Sequence, residues 1–136
     1  MIKVETIGMI DVAKVNPVLT SENDVANYTF ITKDEDTYLV ANTLSGDDYG
    51  KEGVVIKAGE YLNGFLVKAW EGQKLVIDNK HIDAGEKYDE IDVDTTLTID
   101  ENGGLTVGEA STGVYFVVTE KCTLTEKAVK VKVVVA

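Results

Sequence analysis

The chain has 136 residues, of which 44% are hydrophobic and only one is proline, a composition typical of a folded domain and not of a disordered segment. This length predicts a single β-rich domain over residues 1–136 that needs no metal or disulfide to form its core. The formal net charge is −11 and every basic residue is lysine, so we expect no nucleic-acid partner, because such binding depends on a positive surface and on arginine.

Apolar residues recur at every second position in short runs that are separated by Gly, Asn and Asp. This alternation is typical of half-buried strands and predicts an all-β fold, a small antiparallel β-barrel or β-sandwich. No window shows the apolar spacing of an amphipathic helix. The predicted strands are residues 2–10, 27–32, 37–42, 53–57, 65–69, 74–78, 95–99, 105–107, 114–119 and 128–135.

Two stretches lack this alternation. Residues 11–24 contain Pro17 and predict an irregular N-terminal arm or connection. Residues 42–53 are rich in glycine and acidic residues and predict a long acidic surface loop, the kind of segment that often carries contacts.

Short polar segments between the apolar runs predict β-hairpins. Residues 33–36 suit a four-residue turn, and Glu71 with Gly72 lies between two apolar runs. Asn102 followed by Gly103 is the strongest hairpin signal in the chain.

The pattern I-x-A-G-E occurs at residues 56–60 and again at residues 82–86. In both copies the glycine tolerates a positive φ immediately before a polar glutamate. We interpret the pattern as a turn that the chain uses twice, because the residues that follow differ and neither copy has the ligands of a phosphate or metal site.

The last predicted strand places Val129, Val131 and Val133 on one face and Lys130 and Lys132 on the other. Lysines on a terminal strand typically protect an exposed sheet edge from unwanted pairing. The alternative is that these lysines contact an acidic partner surface.

The residues that catalysis needs are few. His81 and Cys122 are the only residues of their types, so a structural zinc site and a disulfide within the chain are excluded by count. The acidic groups at 34–38 and 89–94 lack the spacing of a calcium loop. We therefore expect no enzyme, no catalytic residue, no metal and no cofactor, and Trp70 is either a ligand-stacking residue or an anchor in the core or at its rim.

The stretches IDVAKVNPVLTSENDVANYTF, YLVANTLSGDD, IKAGEYLNGFLVKAWEGQKLVIDNKHI and KAVKVKVVVA resemble a family of capsid decoration proteins of tailed bacteriophages. The resemblance covers most of the chain but includes no catalytic motif. It implies a cofactor-free structural protein that binds the major capsid protein lattice on the outer surface of the virion after the head has expanded, and that strengthens the head. It also implies synthesis in the host bacterial cytoplasm and a possible homo-oligomer, a trimer or a dimer.

The family supplies no residue-level binding motif, so the contact candidates come from this chain. They are the arm around Val15, Pro17 and Leu19, the strand with Lys130 and Lys132, and Trp70. The alternative function is a carbohydrate- or host-surface-binding module that stacks sugars on Trp70, Tyr61 or Tyr49. No apolar stretch reaches the length of a membrane span and the first residues do not form a signal peptide, so we expect neither a membrane partner nor export.

Overall fold

A computed structural model describes residues 2–4, 19–42, 54–123 and 127–136. These residues form strands joined by turns and short 3-10 helices, so the predicted all-β fold is confirmed. The strands are β1 (Ile2–Val4), β2 (Val25–Ala26), β3 (Thr29–Lys33), β4 (Asp36–Val40), β5 (Val55–Ile56), β6 (Gly64–Leu66), β7 (Lys74–Asp78), β8 (Thr96–Ile99), β9 (Leu105–Val107), β10 (Val114–Thr123) and β11 (Lys127–Val135). The 3-10 helices are Val67–Trp70, Asn79–His81, Asp83–Gly85 and Tyr88–Glu90.

The contacts of the chain separate it into two compact units. The first unit combines residues 1–10 with residues 67–136, and the second spans residues 11–66. Most of the predicted long acidic loop and most of the predicted irregular arm lie outside the described residues.

The first unit contains a six-stranded antiparallel sheet in the order β1-β7-β11-β10-β8-β9. Over the described residues the sheet is open, with β1 and β9 as its outer strands, and does not close into a barrel. One face is apolar because paired residues of neighbouring strands place their side chains on the same side. Its fully buried side chains include Leu75, Ile77, Leu97, Leu105, Phe116, Val118, Val129, Val131 and Val133.

The final strand, β11, lies inside this sheet and not at its edge. It pairs with β10 on one side and with β7 on the other, while β1 pairs with the far side of β7. The prediction that its lysines guard an exposed edge is therefore wrong. The predicted faces are confirmed, since Val129, Val131 and Val133 are buried and Lys132 is exposed. Alternation reveals which face is buried but not whether a strand has one neighbour or two.

The second unit combines a three-stranded sheet, β3-β4-β6, with the two-stranded ribbon β2-β5. Leu19, which precedes β2 in the chain, forms an antiparallel bridge with Leu62, which precedes β6. Burial of aliphatic side chains between these pieces removes apolar surface from water, the main favourable term in folding. The core consists of Leu19, Val25, Val40, Ile56 and Leu62, against which Ile31 and Tyr38 pack.

Two of the predicted hairpins are confirmed. β3 and β4 are joined by Asp34 and Glu35, which both have positive φ, 52° and 70°, as a type I′ turn requires. β8 and β9 are joined through Gly103, while the Asp100 carboxylate accepts hydrogen bonds from two backbone N–H groups of the same loop.

The third predicted hairpin, around Gly72, is wrong. β6 and β7 belong to different sheets, and Val67–Trp70 between them is a 3-10 helix in place of the second half of a strand. Both Val67 and Trp70 are buried. Because they are three residues apart, they lie on one side of a 3-10 turn. The alternating apolar residues next to them favoured a strand instead, so the sequence did not reveal this turn.

Candidate functional site

One row of side chains crosses the face of the six-stranded sheet opposite the one that carries Leu75 and Val131. Lys74 of β7 pairs with Lys132 of β11, Lys132 with Val117 of β10, and Val117 with Thr96 of β8. Residues directly paired in an antiparallel ladder present their side chains on the same face. We call these four residues the lysine row. Both lysines are exposed, and Val117 and Thr96 are half-buried.

The two lysines of the row are a like-charge pair directly across two strands. Such a pair destabilises a sheet by roughly 0.2–1 kcal/mol. Among the described residues, neither ammonium group has a carboxylate within 4.0 Å. The acidic chain thus holds two positive charges side by side with no described counter-charge.

Lys130 differs from Lys132 although both lie on the same face of β11. The Lys130 Nζ is 3.5 Å from Oε2 of Glu120, its partner across the ladder with β10, and its side chain is only 27% exposed. Its positive charge is therefore partly neutralised within the sheet. Of the two lysines proposed from sequence, Lys132 is the one that presents an unbalanced charge to solvent.

An open depression of about 430 Å³ adjoins the Thr96 end of the lysine row. Thr96, Glu109, Ala110 and Ser111 line it. The Gly108 N–H donates to the Thr96 carbonyl at 3.1 Å, which holds the loop after β9 beside β8. The face therefore has lysines at one end and a carboxylate with two hydroxyl groups at the other.

The second I-x-A-G-E copy covers the outer edge of β9. The Asp83 carboxylate accepts hydrogen bonds from the Thr106 hydroxyl at 2.7 Å and from the Val107 N–H at 3.0 Å, both on that strand. Burial raises the pKa of Asp83, but these hydrogen bonds and the nearby Lys87 charge outweigh it and hold the pKa below its ordinary value. Asp83 thus satisfies an edge-strand donor and blocks unwanted strand pairing there.

Both I-x-A-G-E copies use a positive φ at glycine, as predicted, with 83° at Gly59 and 81° at Gly85. In the second copy Asp83 and Ala84 also have positive φ, 48° and 54°. A left-handed conformation costs a residue with a Cβ roughly 1–2 kcal/mol. The contacts of Asp83 with β9 offset this strain, which indicates a structural role for the segment.

Tyr88 anchors the next 3-10 helix to the β10–β11 hairpin. Its hydroxyl lies 3.3 Å from the Cys122 carbonyl oxygen and 3.2 Å from the Ala128 carbonyl oxygen. The Lys121 Nζ lies 4.2 Å from the Tyr88 ring centroid and donates to the Tyr88 carbonyl at 2.9 Å. Burial, with smaller contributions from Cys122 and Asp89, raises the pKa of the Tyr88 phenol, so the hydroxyl stays protonated and can donate.

The other contact candidates from the sequence either are buried or lie outside the described residues. Val15 and Pro17 lie outside the described residues. Leu19 is 8% exposed and exchanges two backbone hydrogen bonds with Leu62, so its side chain belongs to the core of the second unit. Trp70 is also 8% exposed, which fits the core-anchor reading and leaves little of the ring for stacking on a sugar.

Of the tyrosines named for the carbohydrate alternative, Tyr61 is 74% exposed and Tyr49 lies outside the described residues. Sequence reasoning missed Lys74 and Thr96 as members of a surface. Each looked like an ordinary polar position in an alternating strand, and only the strand order places them in one row with Lys132.

Within residues 2–4, 19–42, 54–123 and 127–136, no three His, Cys, Asp or Glu side chains are grouped so as to hold a metal ion. Over the same part of the chain, no helix has the length and apolarity that a membrane span requires. The comparisons with known proteins yield no matching family model, no matching curated protein and no matching solved structure.

Proposed function

We propose that the protein decorates the outer surface of a viral capsid, where it binds the major capsid protein lattice and stabilises the head. The observation that carries the proposal is the exposed like-charge pair Lys74 and Lys132 on a chain of net charge −11. Such a pair is unfavourable in the free protein and becomes favourable when an acidic surface covers it.

The sequence stretches that resemble capsid decoration proteins support the same proposal. A protein with this acidic balance is repelled by packaged DNA, which suits a position outside the shell. A protein that binds the assembled lattice but not the separated subunits stabilises the lattice by mass action. The proposed function therefore requires a surface for protein–protein contact and no catalytic group.

The experiment that tests this proposal mixes the purified protein with expanded, undecorated capsids and sediments the capsids. We expect the protein to pellet with the capsids at physiological salt and to raise the temperature at which they dissociate. Capsids that have not expanded serve as the control, because the resemblance implies binding after expansion. Absence of the protein from the pellet of expanded capsids at physiological salt would overturn the proposal.

A further inference from the structure

We infer that the lysine row, together with the depression beside Thr96, is the docking track for an extended acidic segment of the partner protein. This inference rests on the proposed function, because it takes the capsid protein as the source of that segment. It goes further in naming the contact surface, the chemistry of the segment and its direction on the sheet.

The dimensions of the row fit a short extended peptide. Neighbouring strands lie about 4.8 Å apart, so the backbones of Lys74 and Thr96, three strand spacings from each other, are separated by roughly 14 Å. An extended chain advances about 3.3 Å per residue. The track therefore spans about four residues of a bound segment, and the depression accommodates the residues that follow.

The charges select carboxylates and set a direction. Lys74 and Lys132 provide two ammonium groups at one end, whereas Glu109 stands at the other end in the wall of the depression. Between them, Val117 offers a half-buried apolar contact. A segment with acidic residues at one end and neutral or basic residues at the other complements this surface in only one orientation.

The composition and the net charge of the chain disfavour a polyphosphate as the occupant of the track. The chain has no arginine to hold a phosphate in bidentate fashion, and its net charge of −11 repels a long polyanion. A short protein segment brings only a few carboxylates and adds apolar and backbone contacts. An acidic peptide segment is therefore the occupant that the surface fits.

The decisive variant is Lys132→Glu, because it separates binding from stability. The new carboxylate would face Lys74 and replace a repulsive cross-strand pair with an attractive one, so we expect unfolding resistance to stay the same or rise. Capsid binding is expected to weaken about tenfold or more, because attraction to carboxylates turns into repulsion. Lys33→Glu makes the same charge change at the exposed β3–β4 turn of the second unit and is expected to leave binding unchanged.

A second measurement does not depend on capsids. A short synthetic peptide of about four glutamates, the length that the track accommodates, is titrated into the isotopically labelled protein while the amide signals of Lys74, Lys132 and Thr96 are followed by NMR. We expect these signals to shift, and we expect the shifts to be lost in Lys132→Glu and to weaken as salt rises to ~0.5 M. Inorganic phosphate is titrated in parallel and is expected to cause much smaller shifts.

The outcomes distinguish this inference from the proposed function. Wild-type protein that fails to pellet with capsids but shows the glutamate shifts would refute the function and retain an acid-binding track. Capsid binding that Lys132→Glu and Lys33→Glu leave equally intact would refute the track alone. Equal shifts with phosphate would reveal a general anion site, and self-association that Lys132→Glu abolishes would make a second copy the occupant; either result overturns the inference.

Discussion

Asp83 offers the most direct test of how the I-x-A-G-E turn works. Its carboxylate accepts one hydrogen bond from the Thr106 hydroxyl and one from the Val107 N–H, and its side chain is only 18% exposed. Asp83→Ala removes both bonds and leaves the edge donor of β9 unsatisfied. We expect it to lower the free energy of unfolding by about 3 kcal/mol, since hydrogen bonds to charged groups contribute roughly 1.5–3 kcal/mol and compensation by water is partial.

Asp83→Asn is the matched variant, because asparagine tolerates the left-handed φ of 48° at this position. Its amide oxygen can accept from the Val107 N–H, and its amide nitrogen can donate to the Thr106 hydroxyl after that hydroxyl rotates. Only the contribution of the charge is then lost, about 1 kcal/mol near neutral pH.

The difference between wild type and Asp83→Asn depends on pH with a definite sign. The pKa of Asp83 is lower in the folded protein than its ordinary value of 3.8, so the stabilising charge is fully present above that value and is lost as the pH falls through the folded-state pKa. We expect the stability gap to be constant from neutral pH down to about pH 5 and to close in more acidic solution.

Urea unfolding followed by the fluorescence of Trp70 measures this gap, because Trp70 is the single tryptophan and lies in the same unit as Asp83. Asp92→Asn is the control, since Asp92 is exposed and its change should shift stability by less than about 0.5 kcal/mol. A gap that persists unchanged in strong acid, or an alanine variant as stable as the asparagine variant, would refute the reasoning.

Two further variants each remove one stabilising contact. Tyr88→Phe removes the hydroxyl contacts with the Cys122 and Ala128 carbonyls but keeps the ring beneath Lys121, so we expect the free energy of unfolding in urea to fall by about 1 kcal/mol. Tyr115→Phe is the control, because the described residues show no contact of its hydroxyl, and we expect it to change stability little. Asn27→Ala removes a 4% exposed side-chain amide that is hydrogen-bonded to both the N–H and the carbonyl of Asn42. We expect backbone hydrogen exchange in the second unit to accelerate by the equivalent of about 1–3 kcal/mol, and exchange in the first unit to stay unchanged.

Much of the fold follows from local patterns in the sequence. The strands Lys74–Asp78 and Leu105–Val107 were predicted with their observed bounds, because each short apolar run is bordered by polar or glycine residues. The hairpin turns at Asp34 and Gly103 follow from residues that accept positive φ. These features depend on interactions between residues close in the chain, which the sequence displays directly.

The errors concern relations between distant segments. β6 and β7 are separated by few residues, yet they belong to different sheets, and β11 lies between β7 and β10 although it is the last strand described. Strand order depends on which apolar faces bury each other, and one alternating pattern serves equally well beside several partners. The lysine row was hidden for the same reason, because Lys74 and Lys132 are 58 positions apart and meet only through their register.

The position of β11 inside the sheet changes which explanation fits its lysines. Protection of an edge no longer accounts for them, because both sides of the strand are paired. Glu120 accounts for Lys130. Solubility does not account for Lys132, since on a chain of net charge −11 a lysine reduces the charge that keeps molecules apart. Lys132 also opposes Lys74 across the ladder, so it weakens the folded state that it belongs to. We therefore propose that Lys132 serves binding, since the acidic segment inferred above would supply the counter-charge that the described residues do not.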